Sequence, residues 1–235
     1  MLGVPQPSPW DLNFRILGIP VRITPWFWII SAALGWSDGD FQRIVVWVGC
    51  VLVSILVHEM GHALTNRAFG RQPAILLHGM GGLCFASEGP PISRWKRILI
   101  IFDGPLAGFM LYGLVVLIRR FARVEDPITQ EILIQLAFIN LVWSILNLIP
   151  IWPLDGGQIA GVIFQGISRR RGQELTHGIS LVLSALLAIW LYQRNGSIYN
   201  ILLLSMFAMN NFQMLQLIHQ RQWQDPEDSE QWWRR

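Results

Sequence analysis

The sequence predicts an all-α polytopic membrane protein of about six transmembrane helices with a small re-entrant β-hairpin. Hydrophobic residues make up 52% of the 235 residues and charged residues only 14%, whereas a soluble domain carries about 25% charged residues. The mean hydropathy is +0.41. Several apolar runs approach the roughly 20 residues that a helix needs to cross ~30 Å of hydrocarbon. Together these observations disfavour a disordered chain, a coiled coil and a soluble enzyme.

The first 24 residues form a short, polar and Pro-rich juxtamembrane segment. Within it, residues 14–23 alternate loosely around a Gly-Ile-Pro turn, which is typical of a small strand pair lying at the membrane surface. The N-terminus lacks a charged region followed by an apolar core, so we expect no cleavable signal peptide. The first membrane helix is therefore expected to direct insertion.

Six apolar segments make up the predicted membrane domain, residues 25–219. The first segment is short for a span, so its ends are expected to extend or tilt. The remaining residues, 220–235, form a polar tail with three tryptophans, predicted to be an interfacial or mobile end. The six predicted spans are 25–36, 42–66, 97–118, 128–150, 176–193 and 197–219.

Two connections between the spans carry turn residues. The segment 73–93 is rich in Gly and Pro, and two apolar stretches in it, 74–78 and 83–86, flank Gly79-Met80-Gly81-Gly82. This pattern predicts a glycine-turn hairpin, which at membrane depth needs surrounding protein or a cavity to satisfy its backbone. After the fourth span, two prolines end the helix, Asp155-Gly156-Gly157 is predicted to turn, and a short helix is expected over 158–167.

The basic residues indicate orientation in a membrane. They number 18 for a net charge of +3, and no basic run is interleaved with exposed aromatics, so no nucleic-acid partner is predicted. With the N-terminus inside, 13 of them fall on the cytoplasmic side and 5 outside, so the positive-inside rule favours a cytoplasmic N-terminus. The compact form and absent targeting peptide suggest a bacterial plasma membrane. Cys50 and Cys84 are expected to be buried thiols.

The second span contains His58-Glu59-Met60-Gly61-His62. Histidines at i and i+4 lie one turn apart on one helix face, so their imidazoles can converge on a single tetrahedral metal ion. Glu59 is rotated by about 100° from His58, which leaves it beside the metal, where it can take a proton from water. Ionisable residues inside a membrane helix are costly and usually functional. The alternative is that both histidines only form hydrogen bonds inside the bundle.

Two histidines require a third protein ligand. Asp155 is favoured because it follows the fourth span at the expected depth of the histidines, after Pro150 and Pro153 have broken the helix. Taken alone, it would be interpreted as the N-cap of the following helix. The other acidic and histidine candidates are His78, Glu88, Asp103, His177 and His219.

These motifs resemble the site-2 protease family of intramembrane zinc metalloproteases. The resemblance combines His-Glu-x-x-His at 58–62 with Asn-x-x-Pro-x-x-x-Leu-Asp-Gly at 147–156, and covers roughly residues 14–170. It extends to Leu17–Arg22, to the Gly81-Gly82 hairpin and to Gly104-Pro105-Leu106-Ala107-Gly108. One departure is Thr24, where many members have a histidine. The chain length leaves no room for an inserted PDZ or an appended CBS domain.

The resemblance implies that His58, His62 and Asp155 bind one Zn²⁺ per chain and that Glu59 activates water. The expected activity is cleavage of a peptide bond in a membrane-embedded protein substrate, with the hairpin edge pairing with an unwound substrate. Two alternatives stay open: a membrane zinc hydrolase of a lipid or small amide, and a non-catalytic metal-binding membrane scaffold. The oligomeric state is not predicted.

Other residues have weaker signals. Asn140 and Asn147 lie on one face of the fourth span. The resemblance implies that Asn147 contacts the substrate backbone or orients the site, and interhelical hydrogen bonds are the alternative. Gly104 and Gly108 predict close helix packing. We expect His78 to fill the hairpin, Asp103 to pair with an arginine, and Arg169–Arg171 to meet anionic headgroups.

Overall fold

A computed structural model of the protein describes residues 6–35, 40–194 and 198–224. Within these ranges the chain forms seven α-helices and a four-stranded sheet. It divides into two compact units, Met1–Leu146 and Asn147–Arg235. The first unit contains the whole sheet and three of the five candidate membrane-spanning helices of the described residues. The second unit contains the other two.

The sheet of the first unit combines two strand pairs that are far apart in sequence. Both pairs are antiparallel, and the second strand of the first pair runs parallel to the first strand of the other. The strands lie in the order of the chain: β1 (Leu12–Ile16), β2 (Ile19–Ile23), β3 (Gln72–His78) and β4 (Gly81–Glu88). The predicted N-terminal strand pair and the predicted hairpin are thus parts of one sheet.

The parallel pairing sets Val21 opposite Ile75 and Ile23 opposite Leu77. Since alternate residues of a strand point to the same face, these four apolar side chains form one buried face of the sheet. That face packs against the helices that follow β2. The buried cluster consists of Ile19, Val21, Ile23, Phe27, Ile55, Ala63, Ile75 and Leu77.

Both hairpins close with two-residue turns. In the first, Leu17 and Gly18 have φ of 50° and 80°, as a primed turn between twisted strands requires, and Arg67 donates to the carbonyl of Leu17. In the second, only Gly79 and Met80 form the turn, because β4 begins at Gly81. The predicted four-residue glycine turn is therefore too long.

The first unit also contains helix α1 (Pro25–Leu34) and the long helices α2 (Phe41–Ala68), α3 (Arg94–Phe121) and α4 (Pro127–Asn147, its last residue in the second unit). The three long helices are apolar and long enough to cross a membrane. Helix α1 has 10 residues, which at 1.5 Å per residue is about half of ~30 Å of hydrocarbon. As described, it is too short to be the complete first span, and residue 36 of that predicted span lies outside the described residues.

Aspartate side chains in front of α2 and α4 accept hydrogen bonds from the first turns of these two helices. Asp40 accepts a hydrogen bond from the N–H of Gln42 at 3.0 Å, in front of α2. Asp126 accepts from the N–H and the hydroxyl of Thr129, at 2.7 and 2.6 Å, in front of α4. These two bonds stabilise the carboxylate and lower the pKa of Asp126 below its ordinary value. Local capping thus agrees with the apolar pattern in setting where the helices start.

The second unit contains α5 (Asp155–Ile167), α6 (Arg169–Gln193) and α7 (Ile198–Gln224). Helices α6 and α7 contain apolar stretches long enough to span, which brings the number of candidate spans in the described residues to five. Helix α5 starts at Asp155 and not at residue 158, so the predicted Asp-Gly-Gly turn is its first helical turn. Helix α7 continues beyond residue 220, and residues 225–235 of the predicted tail lie outside the described part of the chain.

Candidate metal centre

His58 and His62 lie one turn apart on α2 and turn their rings toward each other. Their Nε2 atoms are 3.2 Å apart, and the ring planes meet at 82° with centroids 4.9 Å apart. The two side chains are 3% and 8% exposed. The predicted i, i+4 geometry is therefore present, with two imidazole nitrogens directed to one buried point.

The second ring nitrogen of His62 fixes its tautomer. Nδ1 of His62 lies 2.8 Å from the backbone carbonyl oxygen of Ile100 on α3. A carbonyl oxygen only accepts, so Nδ1 carries the hydrogen and donates it. Nε2 then keeps its lone pair, the form in which histidine binds a metal ion, and the carbonyl orients the ring as an outer-shell partner does in metal sites.

Close packing of α2 against α3 depends on two glycines. A Cβ built on Gly104 would lie 2.2 Å from Nε2 of His62, and one built on Gly61 would lie 2.2 Å from the carbonyl oxygen of Asp103. The first position therefore has room for the ring of His62 only because it lacks a side chain. The predicted packing role of Gly104 and Gly108 is found, and Gly108 makes similar room for the hydroxyl of Ser144.

Glu59 is buried beside the histidines, with 5% of its surface exposed. Its carboxylate meets the start of β4: a Cβ on Gly82 would lie 2.3 Å from Oε1 of Glu59. The hairpin thus brings bare backbone against the carboxylate. Sequence reasoning predicted the hairpin and Glu59 separately and missed this contact, for which the paired glycines at 81 and 82 were the available signal.

Asp155 is the first residue of α5, and the N-cap position belongs to Leu154. The alternative interpretation of Asp155 as the N-cap is therefore wrong. Its side chain is 6% exposed, and a carboxylate in the first turn is stabilised by the positive end of the helix dipole.

The three proposed ligands offer two buried imidazole nitrogens in the first unit and one buried carboxylate in the second. Two nitrogens and one oxygen are the protein donor set of many catalytic zinc sites, in which a fourth position stays open for water or substrate. Ca²⁺ would require six or more oxygen ligands. The chemistry of the donor set therefore fits Zn²⁺.

The other candidates for the third ligand have different surroundings in the described structure. Nδ1 of His78 accepts from the N–H of Met80 at 3.3 Å, and burial lowers the pKa of His78. Asp103 accepts from the hydroxyl of Thr65, and not from the expected arginine. His177 lies 2.8 Å from the side chain of Asn211, and His219 lies 3.0 Å from the carbonyl of Leu215. Glu88 belongs to β4.

The two asparagines of the fourth span are both buried, at 1% and 8% exposure for Asn140 and Asn147. Asn140 donates to the hydroxyl of Ser54 on α2 at 2.8 Å. This is the interhelical hydrogen bond that the alternative interpretation expected, and it joins α4 to α2 one turn before His58. The substrate contact of Asn147 stays a prediction.

Comparison with known proteins finds a family pattern and several similar proteins. The pattern of Peptidase family M50 matches residues 111–191. Stage IV sporulation protein FB of Bacillus subtilis is 29% identical over 174 residues, which cover 73% of this chain and 57% of that protein. A zinc metalloprotease of Methanocaldococcus jannaschii is 27% identical over 154 residues, covering 64% and 44%. The chain thus spans about half the length of these curated relatives.

A solved structure has the same fold. The site-2 protease from Methanocaldococcus jannaschii superposes with a TM-score of 0.64 and 23% sequence identity. The superposition covers 88% of this chain and 95% of that structure. The predicted fold class, a helical membrane protein with a small β element, is confirmed by this likeness and by the five apolar helices, which make the chain an integral membrane protein.

Proposed function

We propose that the chain is a member of the site-2 protease family, peptidase family M50, and that it is an intramembrane zinc metalloprotease that cleaves peptide bonds of membrane-embedded proteins. The observation that carries the proposal is the pair of buried imidazoles of His58 and His62, whose Nε2 atoms lie 3.2 Å apart. Asp155 supplies a buried carboxylate as the proposed third ligand. The names of the relatives, several of them zinc metalloproteases, support the protease over a lipid or amide hydrolase and over a non-catalytic scaffold.

His58, His62 and Asp155 hold one Zn²⁺ per chain in this proposal. When bound, zinc supplies Lewis acidity to the scissile carbonyl and to the attacking water. The hydrogen bond from Nδ1 of His62 to Ile100 keeps Nε2 in its metal-binding form. Burial of all three ligands excludes bulk water, which strengthens the electrostatic interactions at the site.

Glu59 is the general base and then the general acid. Its carboxylate accepts a proton from the attacking water and returns a proton to the leaving amine. Glu59 stands next to His58 in sequence, but its side chain leaves the helix about 100° away, so it serves the water and not the metal. Gly82 contributes by the absence of a side chain, since a Cβ there would occupy the position of the carboxylate.

Strand β4 is proposed to align the substrate. It is the last strand of the sheet, so among the described strands it pairs only with β3. An extended substrate segment can add to such an edge through backbone hydrogen bonds, largely independent of its side chains. Because Gly82 of β4 adjoins Glu59, a segment added there would run beside the proposed base. A transmembrane substrate helix must unwind locally before it can bind in this way.

The proposed setting is a bacterial plasma membrane with the N-terminus in the cytoplasm. The charge distribution supports this orientation, since 13 of the 18 basic residues then fall on the cytoplasmic side. The partners are the lipid bilayer and a membrane-protein substrate.

The function is tested with the full chain reconstituted in liposomes. The probe is a labelled single-span model peptide with a glycine-rich centre, and mass spectrometry identifies the new termini. Cleavage is expected with zinc and should stop after zinc is chelated or when Glu59 is replaced by Gln. Hydrolysis of the lipids without peptide cleavage, or peptide cleavage that persists in both controls, would contradict the proposal.

A further inference from the structure

We propose that His177 and Asn211 are positioning residues for Asp155, which they orient by holding the backbone of Trp152. Together with Ser180 they form a polar clamp, the three side chains His177, Ser180 and Asn211 of helices α6 and α7. The inference rests on the proposed function, in which Asp155 is a zinc ligand. It goes further because it gives the last two helices a role in the geometry of the metal site.

The hydrogen bonds of Asn211 account for every polar atom of its amide. Its Nδ2 donates to the carbonyl oxygens of Trp152 and Phe207, both at 2.8 Å. Both amide hydrogens are then used, and Oδ1 must accept. The partner of Oδ1 is Nδ1 of His177 at 2.8 Å, so Nδ1 carries a hydrogen. Asn211 has 0% exposure, which makes each of these bonds costly to lose.

Trp152 is held on its other sides as well. Its N–H donates to the hydroxyl oxygen of Ser180 at 2.8 Å, and that hydroxyl donates to the carbonyl of Thr176 at 2.6 Å. The indole packs edge-to-face on His177, with ring centroids 5.7 Å apart. Both backbone groups of Trp152 and its ring are therefore fixed by the clamp.

The loop that contains Trp152 lies directly on the first turn of α5. A Cβ on Gly157 would be 2.3 Å from the backbone nitrogen of Trp152, and a Cβ on Gly156 would be 2.2 Å from the carbonyl oxygen of Leu148. These glycines share the first helical turn with Asp155. A movement of Trp152 must therefore displace that turn and the carboxylate with it, because close-packed backbone cannot absorb the shift locally.

The direction of these bonds distinguishes the clamp from ordinary contacts between membrane helices. Buried Asn and His in apolar helices usually bond to a neighbouring helix. Here two of the three side chains bond directly to the loop backbone at Trp152, and His177 holds the amide of Asn211 in the orientation that this bond requires. The bonds end three residues before the proposed ligand.

The test compares two replacements of His177 in the full chain purified in detergent. His177→Leu removes the donor to Asn211, whereas the amide of His177→Asn can supply a hydrogen near the position of Nδ1. Loss of an outer-shell partner costs about 10–100-fold in metal affinity, so His177→Leu should raise the Kd for Zn²⁺ by that factor and change the visible spectrum of the Co²⁺-substituted protein. His177→Asn should restore both. Ser184→Ala is the matched control, since Ser184 is equally buried in α6 and bonds only to its own helix.

A second measurement needs neither metal nor activity. Ser180→Ala deletes the acceptor of the Trp152 N–H with little change of volume. Hydrogen exchange of the metal-free protein, followed in a peptide that covers residues 148–157, should quicken roughly 2–10-fold, the equivalent of one hydrogen bond. Ser184→Ala should leave this peptide unchanged.

The outcomes separate the inference from the proposed function. Wild-type zinc affinity and cobalt spectrum in a folded His177→Leu protein, or unchanged exchange in Ser180→Ala, would overturn the clamp. Asp155→Ala is the reference: if that variant alone keeps full zinc affinity, the proposed ligand set is wrong, and the clamp has no ligand to position.

Discussion

A side chain cannot be accommodated between Gly82 and Glu59: a Cβ on Gly82 would lie 2.3 Å from Oε1 and 2.6 Å from Cδ of the carboxylate. The second residue of β4 and the proposed base on α2 are thus in direct contact, although 23 positions separate them in sequence. The position of the base depends on the hairpin as well as on its own helix.

Gly82→Ala should therefore impair catalysis and spare the metal. The obstructed atoms belong to a flexible side chain, so the clash is relieved by movement of the carboxylate and not by unfolding. A misplacement of about 1 Å can cost on the order of 10²-fold in rate, and kcat on a model peptide should fall by about that factor with zinc content unchanged. Gly49→Ala is the control, because nothing lies within 4 Å of a Cβ there. Equal activity of the two variants would contradict the contact.

Gly104→Ala should have the opposite signature, with loss of metal. Its Cβ would lie 2.2 Å from Nε2 and 2.3 Å from Cε1 of His62, so the ring must leave its position. Zinc affinity should fall about 10–100-fold, as for other disturbances of ligand orientation, and metal analysis after dialysis against a chelator measures it. Gly113→Ala on the same helix meets nothing within 4 Å and should retain zinc. Retention in both variants would exclude His62 as a ligand in this orientation.

Each of the three proposed ligands should be needed for zinc. His58→Ala, His62→Ala and Asp155→Ala each leave two protein ligands where a catalytic site requires three. Atomic absorption of the purified proteins should find wild-type protein with one zinc per chain and each variant with strongly reduced occupancy. Full occupancy in Asp155→Ala would remove that residue from the site.

Glu59→Gln should separate metal binding from chemistry. Glutamine keeps the shape of the side chain but accepts no proton, so zinc should remain while turnover falls about 10²–10⁴-fold, the usual value of general-base catalysis. Folding should survive, because a neutral side chain is cheaper to bury in a membrane than a charged one. Zinc content and peptide turnover are measured on the same preparation. Wild-type turnover would refute the role of Glu59, and loss of zinc would make it a ligand or a support for one.

The orientation predicted from charge is tested with topology reporters. A reporter fused after Arg235 should indicate the cytoplasm, and one inserted near Asp38 should indicate the outer side, because that arrangement keeps most basic residues inside. The reverse pattern would show that the arginines at 119, 120 and 123 outweigh the rest.

Sequence alone determined the features that depend on local periodicity. The spacing of His58 and His62 guarantees one helix face, since 3.6 residues make a turn, and the structure has the two nitrogens 3.2 Å apart. Apolar run length likewise predicted the five long helices, because the hydrocarbon thickness sets how long a span must be. Asp155 was selected by its place after the fourth span; the structure shows it buried at the start of α5, and its role as a ligand stays a prediction.

The contacts between residues that are far apart in sequence were decided only by the tertiary structure. The parallel pairing of β2 with β3 joins residues more than 50 positions apart, and no local pattern specifies which strands pair. The same holds for Gly82 against Glu59, for Gly104 against His62 and for the contact of Asn211 with Trp152. In each case a small or polar residue is required by what packs against it. The sequence shows that such a residue is present, whereas chain topology and close packing determine which residue lies against it in space.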